Sequence, residues 1–272
     1  YAYANYVDPP RKTTLDDHVI VGIVPPLYYP WTDEKREENR QRWQGWAQTG
    51  ARLFLRPNWM LDGHNMPLVF ARKLGEDFRF YADHGMIGTD FDSLTGQYAA
   101  QGPNLYMLGR LQANPSMTVD QVLDEYMSAF GPAEQAVRAY FAYLEEVADN
   151  PPSEQIPGLH WSYFYREAHV VFTPPVMARA EALLEEAGIA AAGDGGASRR
   201  VRFLQHGLTN AVLTLATQQA YIYHREHGDL ESYRAAMDRL DAFRQSVESE
   251  LIGNLCFLSK REAATWDREL LR

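Results

Sequence analysis

Apolar and polar positions change character near the middle of the chain. Over the first 113 residues, short apolar runs alternate with longer amphipathic stretches. Residues 1–6 alternate like a strand, placing Tyr1, Tyr3 and Asn5 on one face, and Pro9 and Pro10 stop the run because proline cannot continue a central ladder. Residues 18–24 are continuously apolar after His18, the pattern of a parallel strand covered on both faces. Residues 51–57 form a third strand, with Leu53 and Leu55 on one face and Arg52, Phe54 and Arg56 on the other. Residues 86–92 form a fourth, in which Ile87, Thr89 and Phe91 oppose Gly88, Asp90 and Asp92. Helices are predicted over 33–48, capped by Thr32 or Asp33, over 67–84 and over 97–113.

Strand and helix alternate as in parallel β/α units, with right-handed crossovers. A repeat of about 30 residues suits half of an eightfold barrel of roughly 250 residues. A four-stranded open sheet is the alternative. Beyond Asn114 the pattern turns helical: Thr118 and Gln121 form a capping box for a helix to 130, and a second helix carries Val137, Tyr140, Phe141 and Leu144. A linker is expected at 150–153 and a short helix or irregular plug at 159–166. Helices follow at 174–188, 198–227, 229–251 and 259–270, with a flexible Ala/Gly loop at 190–197. The fold class expected is therefore α/β plus α. Residues 1–116 are the C-terminal half of a TIM-like β/α barrel with about four parallel strands, and residues 117–272 are an antiparallel helical bundle.

Composition narrows the function. With 272 residues and 46% hydrophobic content, the chain buries a sizeable core. A net charge of −10 argues against a nucleic-acid partner, which needs clustered Lys and Arg. No apolar run reaches the roughly 20 residues of a membrane helix. One cysteine, Cys256, excludes an internal disulfide and a thiolate metal cluster, and its neighbours Leu255 and Phe257 suggest a core position. The chain opens on Tyr1 within a strand-like stretch, which suggests a piece of something longer.

Candidate chemistry gathers at the strand C-termini, where binding and catalytic groups collect in parallel α/β folds. Asp90 and Asp92 project together there, about 6.5–7 Å apart at Cα from the strand rise. That spacing is compatible with the ~5 Å or ~6.5–9.5 Å between glycosidase carboxylates, although such pairs usually come from different strands. Each is also a candidate substrate-hydroxyl acceptor or a simple turn cap. Arg56 either pairs with Asp90 or grips a uronate carboxylate. Asn5 and Asn58 add polar groups, and Tyr28, Tyr29, Trp31 and Trp59 lie in expected mouth loops, as sugar platforms or as packing beneath the loops. Neither His18 nor His64 with Asp62 has a paired histidine at metal spacing, so no metal is expected. His206, His224 and His227 are expected at the surface or between helices. Ser93 and Ser162 lack the nucleophile-elbow glycines, and Gly193–Gly196 follows a helix rather than a strand, so neither a hydrolase triad nor a phosphate-binding cofactor loop is expected.

The segments Asp90-Phe-Asp-Ser93, Gln97-Tyr98, Gln101-Gly-Pro-Asn-Leu-Tyr106, Arg110, Asp124-Glu-Tyr126, Phe130-Gly-Pro132 and Tyr140-Phe141 carry a family resemblance. Over residues 1 to about 145, the chain resembles the bacterial domain-of-unknown-function 4838 family, whose barrel is related to alpha-glucuronidases and beta-hexosaminidases. The resemblance implies a β/α barrel with a C-terminal helical domain, an extracytoplasmic setting and action on carbohydrate. It carries over no catalytic residues. Related barrels place an acid/base carboxylate after the fourth strand and a nucleophilic Glu after the seventh. Here the presumed seventh strand ends Arg56-Pro-Asn-Trp59 and the fourth is absent. The function expected is a glycoside-hydrolase-like domain acting on uronate or N-acetylhexosamine glycosides, with Asp90 and Asp92 as catalytic candidates. Its alternatives are a non-catalytic glycan-binding module and a helical interaction domain. A carbohydrate is the expected ligand. A missing N-terminal barrel half or a homodimer partner is expected to cover the open sheet edges.

Overall fold

The computed structural model describes residues 1–92, 97–150 and 164–267. Strands β1 (Ile20–Ile23), β2 (Arg52–Leu55) and β3 (Met86–Thr89) form one parallel sheet in the order β1-β2-β3. The ladder continues past the strand ends: Arg56 N donates to Ile23 O at 2.8 Å, Asp90 N to Leu55 O at 2.9 Å and Asp92 N to Pro57 O at 3.2 Å. Helices α1 (Asp33–Ala47) and α2 (Ala71–Asp83) make the crossovers. With strands taken in sequence order, right-handed crossovers put both helices on the same face. Val21, Ile23, Leu53 and Leu55 accordingly share a core with Trp43, Trp46, Phe78 and Tyr81. Buried Asp77 of α2 ties the two helices together, accepting from Arg36 Nε at 2.9 Å and from Arg40 Nη2 at 2.6 Å. Burial alone would lower the Arg36 pKa, but its bonds and charge contacts with Asp77 and Glu76 outweigh that cost and raise it.

The other sheet face is open. Ile20 and Ile87 are about half exposed, and Tyr1 lies over Gly22 beside Phe54, ring centroids 5.8 Å apart. Parallel sheets are usually covered on both faces, so the continuous apolar run of β1 overstated its burial.

The strand expected over residues 1–6 is not formed, which leaves three strands of the four expected. Of residues 1–6, Ala2 alone bridges to Ile23, through Ala2 N to Gly22 O at 2.8 Å and Val24 N to Ala2 O at 3.0 Å. Ala4 then takes φ +50°, and Ala4–Tyr6 closes into a 3-10 turn through Tyr6 N to Tyr3 O. Side-chain alternation does not report that backbone turn.

The half barrel with a separate antiparallel bundle is corrected on a larger scale as well. The remaining described helices are α3 (Gly102–Ala113), α4 (Val119–Ser128), α5 (Glu134–Asp149), α6 (Phe164–Val171), α7 (Pro174–Ala190), α8 (Gly195–His227), α9 (Leu230–Ser246) and α10 (Leu255–Thr265). Val122, Val137, Phe141, Leu183 and Leu204 belong to the same apolar cluster as the sheet. The molecule is mainly helical, built around one small sheet.

Residues 57–70, with 58–65 expected as a barrel-mouth loop and 67–70 as the start of a helix, are buried throughout. Part of their main chain is satisfied by side chains at the start of α3. Gln101 Nε2 donates to Asp62 O at 3.1 Å, Asn104 Nδ2 donates to Leu68 O at 2.9 Å, and Phe70 N donates to Asn104 Oδ1 at 2.9 Å. Asn65 Nδ2 donates to Thr214 Oγ1 of α8, and the His64 ring lies 6.2 Å from that of Phe257 on α10. This internal segment delays α2 to Ala71.

Helix boundaries elsewhere follow their caps. Thr118 and Gln121 make the expected capping box of α4. Asp194 accepts from Gly196 N and Ala197 N, so α8 starts three residues earlier than periodicity predicts, and the expected Ala/Gly loop shrinks. Cys256 is exposed, not core. The linker at 150–153 lies largely outside the described residues, as do Ser93, Ser162 and most of 159–166. No helix among the described residues is long and apolar enough to cross a membrane.

Candidate functional site

At the carboxyl end of the sheet, strand alternation brings Arg56, Asp90 and Asp92 onto the open face. Phe91 turns the other way, its ring 5.9 Å from Trp59. Arg56 Nη2 pairs with Asp92 Oδ2 at 3.0 Å, not with Asp90 as the sequence suggested. Its Nη1 donates to Asn58 Oδ1 at 2.7 Å, and Asn58 Nδ2 reaches the Tyr28 hydroxyl at 3.4 Å. Asp90 Oδ2 accepts from the Tyr1 hydroxyl at 3.2 Å, and the Arg56 guanidinium stands 5.8 Å from the Tyr1 ring centroid. A register irregularity between β2 and β3 leaves both Ile87 and Gly88 exposed. The ladder sets Asp90 level with Arg56, through Asp90 N to Leu55 O, and Asp92 level with Asn58, through Asp92 N to Pro57 O. The guanidinium reaches Asp92, whereas Asp90 is held by Tyr1.

Tyr1, Tyr3, Tyr28, Arg56, Asn58, Asp90 and Asp92 thus form one polar and aromatic patch. Burial pushes the Tyr28 phenol up, the Asn58 hydrogen bond opposes this, and the neighbouring Tyr3 adds to it. Tyr28 is therefore a neutral hydroxyl at physiological pH, able to donate or accept. Tyr1 and Tyr3 are 74% and 47% exposed. Sequence reasoning placed them on one face without nominating them. The glycine within the apolar run of β1 was the available signal, because a missing side chain there marks close approach by another group, here the Tyr1 ring.

Other nominated residues are elsewhere. Tyr29, Trp31 and Trp59 are buried, the two indoles 5.4 Å apart, and they offer no face to a sugar. Asp62 explains the position of their loop, accepting from Tyr29 N at 2.8 Å and from Trp31 Nε1 at 3.2 Å. Asn5 is exposed on the Ala4–Tyr6 turn. Asp16, Asp17 and His18, near the opposite end of β1, bring their ligand-type atoms within 4.8 Å, all exposed, and His18 Nδ1 is already 3.0 Å from Asp17. That grouping escaped the search for paired histidines.

A family model described as a domain of unknown function (DUF4838) matches residues 1–142. The chain belongs to this family. Comparisons with curated proteins and with solved structures find no match. The family region contains the whole sheet, every residue of the polar patch and the first half of α5, whereas α6 to α10 lie beyond it. The helices that bury residues 57–70 thus come partly from outside the family region. The patch itself is assembled wholly within it.

Proposed function

We propose that this chain binds carbohydrate at the carboxyl end and open face of its sheet, without hydrolysing it. The observation that supports this reading most is the linked array Tyr1–Asp90 and Tyr28–Asn58–Arg56–Asp92 beside exposed aromatic rings. Carboxylates, an amide and a guanidinium in fixed mutual orientation suit vicinal sugar hydroxyls, and a tyrosine ring provides an apolar face with a polar edge. The sequence resemblance to relatives of alpha-glucuronidases and beta-hexosaminidases favours the same ligand class. Binding is preferred to hydrolysis because both carboxylates are engaged, Asp92 by a cation and Asp90 by a phenol, on one strand. A glycosidase pair must flank the bond from two sides.

Calorimetric titration with uronate-bearing and N-acetylhexosamine oligosaccharides tests the proposal, with Asp90→Asn and Tyr3→Ala beside the parent. Saturable binding without sugar release is expected, with affinity lowered about tenfold in each variant, the scale of one charge-assisted hydrogen bond or one ring contact. Failure of the whole panel to bind, or unchanged affinity in both variants, would reject the assignment. Sugar release abolished by Asp90→Asn would replace it with a hydrolytic one.

A further inference from the structure

A separate cleft of about 410 Å³ opens between the end of α4 and the first turns of α8. Its size falls within the range of roughly 300–1,000 Å³ typical of small-ligand sites. Phe130 and Leu204 are buried at its base, and Tyr106 and Phe203 stand partly exposed along it. The Tyr126 ring lies 5.3 Å from Tyr106 and 5.6 Å from Phe130, so one side is a continuous aromatic wall. Three charged residues line the opening: Glu125, Arg199 and Arg200. Glu125 is committed, accepting from Arg110 Nε at 2.9 Å. Asp194, the nearby carboxylate, is occupied in capping α8 through Gly196 N at 2.8 Å and Ala197 N at 2.9 Å. Arg199 and Arg200 make no close ion pair among the described residues; they interact with Asp194 only at longer range, where their charge helps to lower its pKa. In a chain of net charge −10, two exposed guanidiniums without a close ion pair beside an aromatic cleft are a local concentration of positive charge.

We propose that this cleft binds a small organic anion bearing an apolar ring, with the ring along Tyr106, Tyr126 and Phe203 and its carboxylate or phosphate at Arg199 and Arg200. Planar guanidiniums meet either anion through paired N–H donors, and the aromatic wall rewards a flat apolar body. The committed Glu125 disfavours a second anionic group at its end of the cleft, which selects ligands charged at one end only. This site is independent of the sheet patch and does not rest on the carbohydrate reading.

Titration of the full chain with phenyl phosphate and with benzoate, beside inorganic phosphate and benzyl alcohol, tests the inference and separates the two anionic head groups. Saturable binding of at least one ring-bearing anion is expected, with the ring-free phosphate and the uncharged alcohol weaker by about tenfold or more. Arg199→Gln/Arg200→Gln should weaken binding at least about tenfold. Ala129→Phe, at an exposed position lining the cleft, should abolish it while circular dichroism and Tm stay those of the parent. Absence of saturable binding by both ring-bearing anions would overturn the proposal. So would equal affinity for inorganic phosphate, or parental affinity in either folded variant.

Discussion

Trp31 is wedged between Trp59 and Phe70, ring centroids 5.4 and 4.3 Å away, and its indole N–H is spent on Asp62. Truncation of such a residue leaves a cavity and removes the bond to Asp62 Oδ2, which keeps the one from Tyr29 N. Trp31→Ala is expected to cost about 3–5 kcal/mol in chemical denaturation, whereas Tyr3→Ala, at the surface, should stay within about 0.5 kcal/mol. The two substitutions thus separate packing from binding. Asp194 shows a charge effect at the same scale. Bonds from Ala197 N and Gly196 N hold its carboxyl below the ordinary carboxylate range. A depressed folded pKa gives stability that is present above the unfolded value and lost as pH falls through the folded one. Asp194→Ala should therefore lower Tm at pH 7, and the deficit should shrink as thermal scans are taken to acid below the carboxylate range. Asp194→Asn, which keeps an acceptor, should show a smaller and flatter difference.

Among the elements, α8, α9 and α10 are locked by one buried arginine. Arg244 of α9 donates to Glu262 of α10 from Nη1 at 2.6 Å and from Nη2 at 2.7 Å, and to Asn210 of α8 from Nε at 2.9 Å. The Glu262 side chain is fully buried, so removal of one partner strands a charge. Arg244→Met is expected to cost about 3–5 kcal/mol, and Arg244→Met/Glu262→Leu to recover much of that loss, as measured by a double-mutant cycle in urea. The lock also steadies the cover over residues 57–70, since Thr214 and Phe257 belong to two of the same helices. A second inter-element bond works similarly: Glu145 of α5 accepts from Arg72 N at 3.0 Å, in the first turn of α2, whose own N-cap residue Phe70 makes no side-chain cap. A helix beyond the expected 116/117 boundary thus satisfies a backbone donor of one before it.

For the whole molecule, the continuous apolar cluster runs from Ala2 to Leu215, and a smaller one around Tyr233, Leu258 and Trp266 is joined to it through α8. A shared core melts as a unit, so calorimetry should show one unfolding transition with matching calorimetric and van't Hoff enthalpies. Two resolved transitions would instead establish residues 1–116 and 117–272 as separate folding units.

Local physics is written plainly along this chain. Thr32 and Thr118 cap their helices through hydroxyls a few residues from the amides they serve, so the pattern of neighbours suffices to find them. Two-residue alternation likewise put Arg56, Asp90 and Asp92 on one face, because side-chain direction in a strand is a property of the strand. Burial depends on segments far away in the chain. An aromatic loop such as 57–70 reads the same whether it rims a cleft or lies beneath helices, and α8 and α10, roughly 150 and 190 residues further on, place it inside. Partner choice within the patch has the same character. Asp90 stands level with Arg56 in the ladder but accepts from the Tyr1 hydroxyl, 89 positions away in the chain, and the guanidinium pairs with Asp92 instead, a choice that no strand's own residues specify.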